Sequence, residues 1–142
     1  MQRIVPIFYS LSKSMQSIHK SSCDNISTVQ STIIYELSLL SKPSMQMVAY
    51  AVGMDITTFS RQIRTLEKKE LVARTPFEGD RRIHILSLTE KGRQVVNSIN
   101  EIIAAKMESA FATMNDFERE TVLRSLQALD GKLQESKGEK KG

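Results

Sequence analysis

The 142-residue sequence predicts a mainly α fold carrying one small β-hairpin. Three observations lead there. Apolar residues recur at helical spacing over most of the chain. The period switches to alternation only between about residues 71 and 88, and the turn-forming run "PFEGD" lies inside that window. With 142 residues, 40% of them hydrophobic, the chain has material for one compact domain or one domain with a helical extension.

The elements follow in order. Over 3–20, Ile4, Phe8, Leu11, Met15 and Ile18 mark one helix face. Such a stripe on a terminal helix needs a surface to pack on. The run "IVPIFYSL" at 4–11 contains Pro6 and Tyr9 and leads to no small-residue cleavage site, so it is not read as a signal core. No apolar run is long enough to span a bilayer. "SSCDN" breaks the first helix. In "STVQ", Ser27 is the expected N-cap and Gln30 its capping-box partner, and Val29, Ile33, Leu37 and Leu40 mark a second helix that ends at "SKPS". Ser44 is expected to cap a short third helix, with Gly53 in its C-terminal turn.

Asp55 is the expected N-cap of a fourth helix. Ile56, Phe59, Ile63 and Leu66 would face inward, while Thr57, Thr58, Ser60, Arg61, Arg64 and Lys68 would face out. Two short helices joined by a tight Gly-containing turn, the second with a polar, basic outer face, fit a helix-turn-helix. "LVART" then reads as a strand, and Ile83, Ile85 and Ser87 alternate with His84, Leu86 and Leu88 in a second. Thr89 would cap a long helix striped by Val96, Ile99, Ile103, Met107, Ala110 and Met114. Asp116 would cap a last helix striped by Val122, Leu126, Leu129 and Leu133, and "SKGEKKG" reads as a polar tail.

Charge points to a polyanion partner. Nine basic against six acidic residues fall in 55–93, whereas 94–142 holds seven against eight. One cysteine excludes an intrachain disulfide framework and suits a reducing cytoplasm. The sequence has no glycine-rich phosphate loop, nucleophile elbow or clustered carboxylate motif, so no enzyme is expected. His19, Cys23 and His84 make no recognisable metal set, and no cofactor is expected.

The block "MDITTFSRQIRTLEKKELVARTPFEGDRRIHILSLTEKG", residues 54–92, resembles the winged helix-turn-helix of the MarR transcription regulators. That family's pattern is a helix ending in Leu-Glu-Lys, an apolar pair, Arg, a wing with Asp-x-Arg, then Leu-Thr-x-x-Gly. Here these are Leu66-Glu67-Lys68, Leu71-Val72, Arg74, Asp80 and Arg82, and Leu88-Thr89 with Gly92. The chain departs from the pattern at Glu70, where the family often has glycine.

The resemblance implies a winged helix-turn-helix DNA-binding lobe over 27–92, helical dimerisation regions over 1–26 and 93–136, and a flexible tail over 137–142. Thr57, Thr58, Ser60, Arg61, Arg64 and Lys68 would enter the major groove. Arg74, Arg81 and Arg82 would add contacts from the wing, with Arg82 in the minor groove, Arg81 nearer the phosphates, and Asp80 holding the tip in shape. The implied function is a cytoplasmic, homodimeric, sequence-specific regulator on double-stranded, pseudo-palindromic DNA, a repressor released by a small aromatic ligand or an oxidant. Tyr9, Met15, His19, Tyr35 and Met45 are the candidate effector crevice.

One branch of the family senses hydroperoxides through a cysteine in its first helix. Cys23 is the redox candidate here, but it falls in the connection to the second helix, so an incidental thiol is the weightier reading. Two other classes stay open at this level: a winged-helix protein-interaction module without specific DNA binding, and a basic scaffold that binds any duplex.

Overall fold

A computed structural model describes residues 1–22 and 25–138. Among them, six helices and two strands follow in order. They are α1 (Ile4–Ser22), α2 (Thr28–Leu39), α3 (Met45–Ala51), α4 (Ile56–Lys68), β1 (Val72–Phe77), β2 (Asp80–Leu88), α5 (Glu90–Phe111) and α6 (Asp116–Gly138). The predicted class, mainly α with one hairpin, is the class observed. The chain divides into two compact units, Met1–Ile103 and Ala104–Gly142.

Side-chain oxygens start the helices where the sequence places them, because the first turn leaves backbone N–H groups without intrahelical acceptors. Ser27 Oγ accepts from Gln30 N at 3.1 Å, and Gln30 Oε1 accepts from Ser27 N at 3.4 Å, which completes the capping box. Ser44 Oγ accepts from Met47 N at 3.2 Å, and Asp55 Oδ1 from Thr58 N at 2.9 Å. The last cap differs from the expectation. Asn115, not Asp116, closes a reciprocal box with Glu118, each bond 2.9 Å long. Asp116 stands one residue inside the helix and pairs with Arg119 at 2.8 Å. Met114 lies beyond the end of α5, its N–H bonded to Phe111 O at 3.0 Å.

Two helices end in left-handed turns. At α3, Gly53 takes φ +70°, Gly53 N bonds to Tyr50 O at 3.1 Å, and Met54 N to Ala49 O at 2.9 Å. At α4 the same pair of bonds recurs, Glu70 N to Glu67 O at 2.9 Å and Leu71 N to Leu66 O at 3.0 Å. The residue at the left-handed position there is Glu70, with φ +60°. The missing glycine therefore leaves the turn sharp and instead strains a Cβ-bearing residue.

The core of the first unit joins α2, α3, α4, the hairpin and the start of α5. Ile33, Ile34, Val48, Phe59, Ile63, Leu66 and Leu86 are wholly buried, with Val72, Val96 and Ile99 beside them. Two residues assigned inward by spacing face out: Val29 is 45% exposed and Ile56 46%. In α2 the buried line runs Gln30, Ile33, Ile34, Leu37, so the helix is rotated to bury a glutamine that an apolar periodicity skips. Ile56 opens α4, where the chain has not yet turned under the core that Phe59 meets.

The hairpin pairs Val72 with Leu88 and runs in register to Pro76 opposite His84. Phe77 then pairs with Asp80. Arg81, Arg82 and Ile83 consequently have no partner opposite them, and the strand bulges at the tip. Leu86 and Leu88 face the core, whereas Ile83 is 42% exposed. A third segment, absent from the sequence reading, docks on β2. Ser44 bridges Ile85, and Leu86 N bonds to Pro43 O at 2.9 Å.

The Leu-Thr-x-x-Gly motif gains its reason from the seam it builds. Thr89 Oγ1 accepts from Gly92 N at 2.9 Å and donates to Glu70 O at 2.6 Å. Thr89 N bonds to Leu71 O at 3.1 Å. A Cβ on residue 92 would overlap that same Leu71 carbonyl. The start of α5 is therefore locked on the turn that ends α4.

Substitutions in this seam are expected to act with opposite signs. Gly92→Ala should lower unfolding free energy by about 1–3 kcal/mol or more, because backbone must move to admit the methyl. Glu70→Gly should raise it by about 0.5–1 kcal/mol, since relief of left-handed strain exceeds glycine's entropic cost. Urea unfolding midpoints at unchanged slope measure both.

Candidate nucleic-acid interface

The outer face of α4 is polar and open. Thr57, Thr58, Arg61, Arg64 and Lys68 are exposed, while Ser60 is half-buried. The buried line of Phe59, Ile63 and Leu66 fixes which side of the helix this is. The helix also starts well for a groove-facing element. Asp55 accepts the Thr58 backbone N–H, which holds its carboxyl below the ordinary carboxylate range and complements the helix dipole.

The tip of the hairpin is organised around one carboxylate. Asp80 Oδ1 accepts from Arg82 N and Arg82 Nε, both at 3.0 Å, and Asp80 Oδ2 accepts from Arg82 Nη2 at 2.9 Å. The partner of Asp80 is therefore Arg82 itself, two residues on. The Arg82 side chain nevertheless remains 90% exposed, against 32% for Asp80. The fork-on-fork pair holds the guanidinium in one orientation while leaving donors for a further acceptor. The paired guanidinium lowers the Asp80 pKa and the carboxylate raises that of Arg82. Arg81 and Ile83 flank the pair on the same unpaired bulge and are exposed.

Arg74 has a different setting. Its Nη2 lies 3.2 Å from Glu67 Oε2, and both side chains are little more than a quarter exposed. The pair ties the last turn of α4 to β1, so this arginine braces the wing against the helix. Lys69 is also turned inward. Its Nζ donates to Gln30 Oε1 at 3.1 Å and to the Asn25 carbonyl. Gln30 Nε2 in turn donates to Gln62 Oε1 at 3.1 Å. Sequence reading placed Gln30 only in a cap and passed over Gln62. The one available signal was a cap-box glutamine on a helix whose buried line would otherwise be apolar.

The candidate effector residues differ in setting. Tyr9 is 69% exposed, Met15 51% and Tyr35 45%. Met45 packs partly on the core. His19 Nδ1 is 3.4 Å from Thr28 Oγ1, and its Nε2 is buried without a hydrogen-bond partner among the described residues. A cavity of about 870 Å³ lies elsewhere, lined by Leu37, Lys42, Phe77, Ile85, Arg93 and Val96 among others, and includes none of the five. Cys23, the redox candidate, lies outside the described residues, as do the last four residues of the tail, 139–142.

Comparison with known proteins agrees with this geometry. Residues 26–84 match the model of the MarR family. Curated relatives in Thauera aromatica and Bacillus subtilis are each 29% identical, over 93 and 75 residues. The aligned stretches cover 64% and 53% of this chain, and the chain spans only 56% and 44% of those relatives' lengths. The Bacillus subtilis protein is named an uncharacterized HTH-type transcriptional regulator, YwaE. Among solved structures, Streptococcus pneumoniae FabT in complex with DNA superimposes with a TM-score of 0.84 at 23% identity, covering 94% of this chain and 97% of that one. Bordetella bronchiseptica BpsR, whose DNA binding is described as regulated by 6-hydroxynicotinic acid, gives 0.71 at 21% identity, covering 87% and 90%.

The wing-tip pair has a titration signature. Because the Asp80 carboxyl is lowered from 3.8, the fork should be intact at neutral pH and through the ordinary carboxylate range. It should open only as pH falls through the lowered value. Carboxyl NMR titration should place Asp80 below the ordinary aspartate value of 3.8. Asp80→Asn should increase the motion of the Arg82 Nε–H bond while leaving overall stability within about 0.5 kcal/mol.

Proposed function

We propose that this chain, whose residues 26–84 match the model of the MarR family, is a sequence-specific DNA-binding transcription regulator of that family that works as a homodimeric repressor. The family is one of transcription regulators, not enzymes. The observation that carries the reading is the wing tip: an arginine 90% exposed yet held in a fixed orientation by Asp80. A solvated loop has no need of such a fork. A side chain that must enter a narrow, electronegative minor groove gains from having its rotamer settled beforehand.

In this reading α4 lies in the major groove. Thr57 and Thr58 meet base edges or phosphates at its N-terminal end, Arg61 and Arg64 take guanine or phosphate further along, and Lys68 adds a phosphate contact. Ser60 contributes from the half-buried flank. Arg82 enters the adjacent minor groove and Arg81 meets the backbone. Arg74 acts through its pair with Glu67, keeping wing and helix in step.

A second copy completes the molecule. No side chain of α1 is buried, and Ile4, Phe8, Leu11 and Met15 are 44–63% exposed. Nor is any side chain of α6, where Phe117, Leu126, Leu129 and Leu133 are 39–79% exposed. Apolar faces of this extent favour burial at about 25 cal/mol per Å². The dimerisation regions proposed are 1–26 and 93–136, flanking the lobe at 27–92. Two lobes related by a two-fold axis read half-sites about one helical turn apart. The effector proposed is a small aromatic molecule that shifts the separation of the two α4 helices, a reading supported by the BpsR description. Because Tyr9, Met15, His19 and Tyr35 lie on or beside α1 and α2, they would act in a crevice completed by the partner chain. No helix among the described residues is long and apolar enough to cross a membrane, and the localisation proposed, to suit a DNA partner, is the cytoplasm.

Selection of bound duplexes from a random pool should yield a two-fold symmetric motif, and sedimentation should give a dimer. A monomer indifferent to DNA at low salt, with no effector restoring binding, would overturn the reading. Arg82→Ala should weaken binding by about tenfold, corresponding to about 1.4 kcal/mol, most strongly where the flanks are A·T-rich. Equal affinity of mutant and parent would remove the wing from the mechanism.

A further inference from the structure

We infer that Gln30 is a positioning residue for the DNA-reading helix: its buried carboxamide joins the start of α2 to two separate points on α4, so the two helices keep one relative register. The inference rests on the DNA-binding reading above and adds to it a residue that touches no DNA.

Gln30 is 8% exposed, in the first turn of α2. Its Nε2 donates to Gln62 Oε1 at 3.1 Å, and its Oε1 accepts from Lys69 Nζ at 3.1 Å. The same Oε1 accepts the Ser27 N–H of the capping box at 3.4 Å. One side chain thus caps α2 and holds both Gln62, in the body of α4, and Lys69, at its C-cap. Those two residues are seven apart, or about 10 Å along a helix axis. A single tether would leave α4 free to swing about it, whereas two spaced tethers oppose both tilt and rotation.

The core that these elements share is apolar: Ile33, Ile34 and Leu37 of α2 and Phe59, Ile63 and Leu66 of α4 belong to one cluster. Apolar packing is nondirectional and tolerates small sliding, while hydrogen bonds at 3.1 Å weaken steeply with misalignment. Base reading depends on side-chain placement of well under an ångström. Lys69 extends the linkage by donating to the Asn25 carbonyl in the α1–α2 connection, and Thr28 at the head of α2 meets His19 of α1. A displacement of α1 or of that connection therefore reaches α4 through named bonds.

The test uses Gln30→Met and Gln62→Met, which keep length and remove the hydrogen bonds, singly and together, in the full chain. Each single change is expected to weaken affinity for the selected duplex about tenfold. The slope of log Kd against log salt should not change, since the phosphate contacts are untouched. The double variant should be no weaker than the weaker single, because both remove one linkage. A DNA-free arm reads the helix pair directly. Spin labels at Thr32→Cys and Lys68→Cys, with Cys23→Ser, should give a narrow distance distribution that broadens with Gln30→Met. Affinities within twofold of the parent, additive losses, or an unbroadened distribution overturn the inference. Should Gln30→Met fail to fold, Gln62→Met, which leaves the cap intact, decides by the same criteria. If the parent chain binds no duplex, the DNA-binding reading falls, and the distance arm still decides the role of Gln30.

Discussion

The hydrogen bonds of Thr89 and the close approach of Gly92 to Leu71 hold the start of α5 on the turn that ends α4, at the root of the hairpin. The turn after α4 exposes carbonyls that no residue of α4 can satisfy, and Thr89 takes one through its hydroxyl and one through its backbone N–H. Gly92 lets α5 come close enough for those bonds to form. The hairpin leaves from one side of this seam and returns to the other, so its base cannot drift while the seam is shut. Arg74 and Glu67 add a second brace on the same span. The reach of the wing is therefore fixed at its root by backbone geometry and at its tip by the Asp80 fork.

A division of labour follows from which polar groups are satisfied. Inside the lobe, Gln30, Gln62, Lys69, Thr89 and Glu67 with Arg74 have partners within the chain, as groups removed from water must. On the outer face of α4, threonine and arginine side chains stand in solvent. Arg82 belongs to both sets, being paired and open at once. Glu70 carries a cost with no contact of comparable weight in return: its pair with Lys91 is 3.5 Å long and largely solvent-exposed.

Helix starts were legible because a cap is a local device. Ser27, Ser44, Asp55 and Thr89 need only the backbone two or three residues ahead, and all four bonds form. The exception has the same locality: in "ND" either residue can cap, and the choice of Asn115 followed from Glu118 standing three residues on, which completes a box. Helix faces were less legible. Counting apolar residues placed Val29 and Ile56 inside, while the core took Gln30 instead. The pairing of Pro43 and Ser44 with β2 left no trace in alternation, because the segment is too short to show a period.

By itself, then, the order of residues determined the element types, all but the last of the expected caps, the left-handed turn at Gly53 and the basic bias of the middle third, since each depends on chemistry within a few positions. Only the tertiary structure decided that α2 turns a glutamine inward, that Lys69 pairs with Gln30 and Arg74 with Glu67, and that the wing bulges so that Arg82 closes on Asp80. These outcomes join residues such as Gln30 and Lys69, 39 positions apart, or depend on where a strand loses register. A one-dimensional pattern records which groups are polar. The packing decides which polar groups are left facing water, and one that it buries, Gln30, meets its partners 32 and 39 positions away.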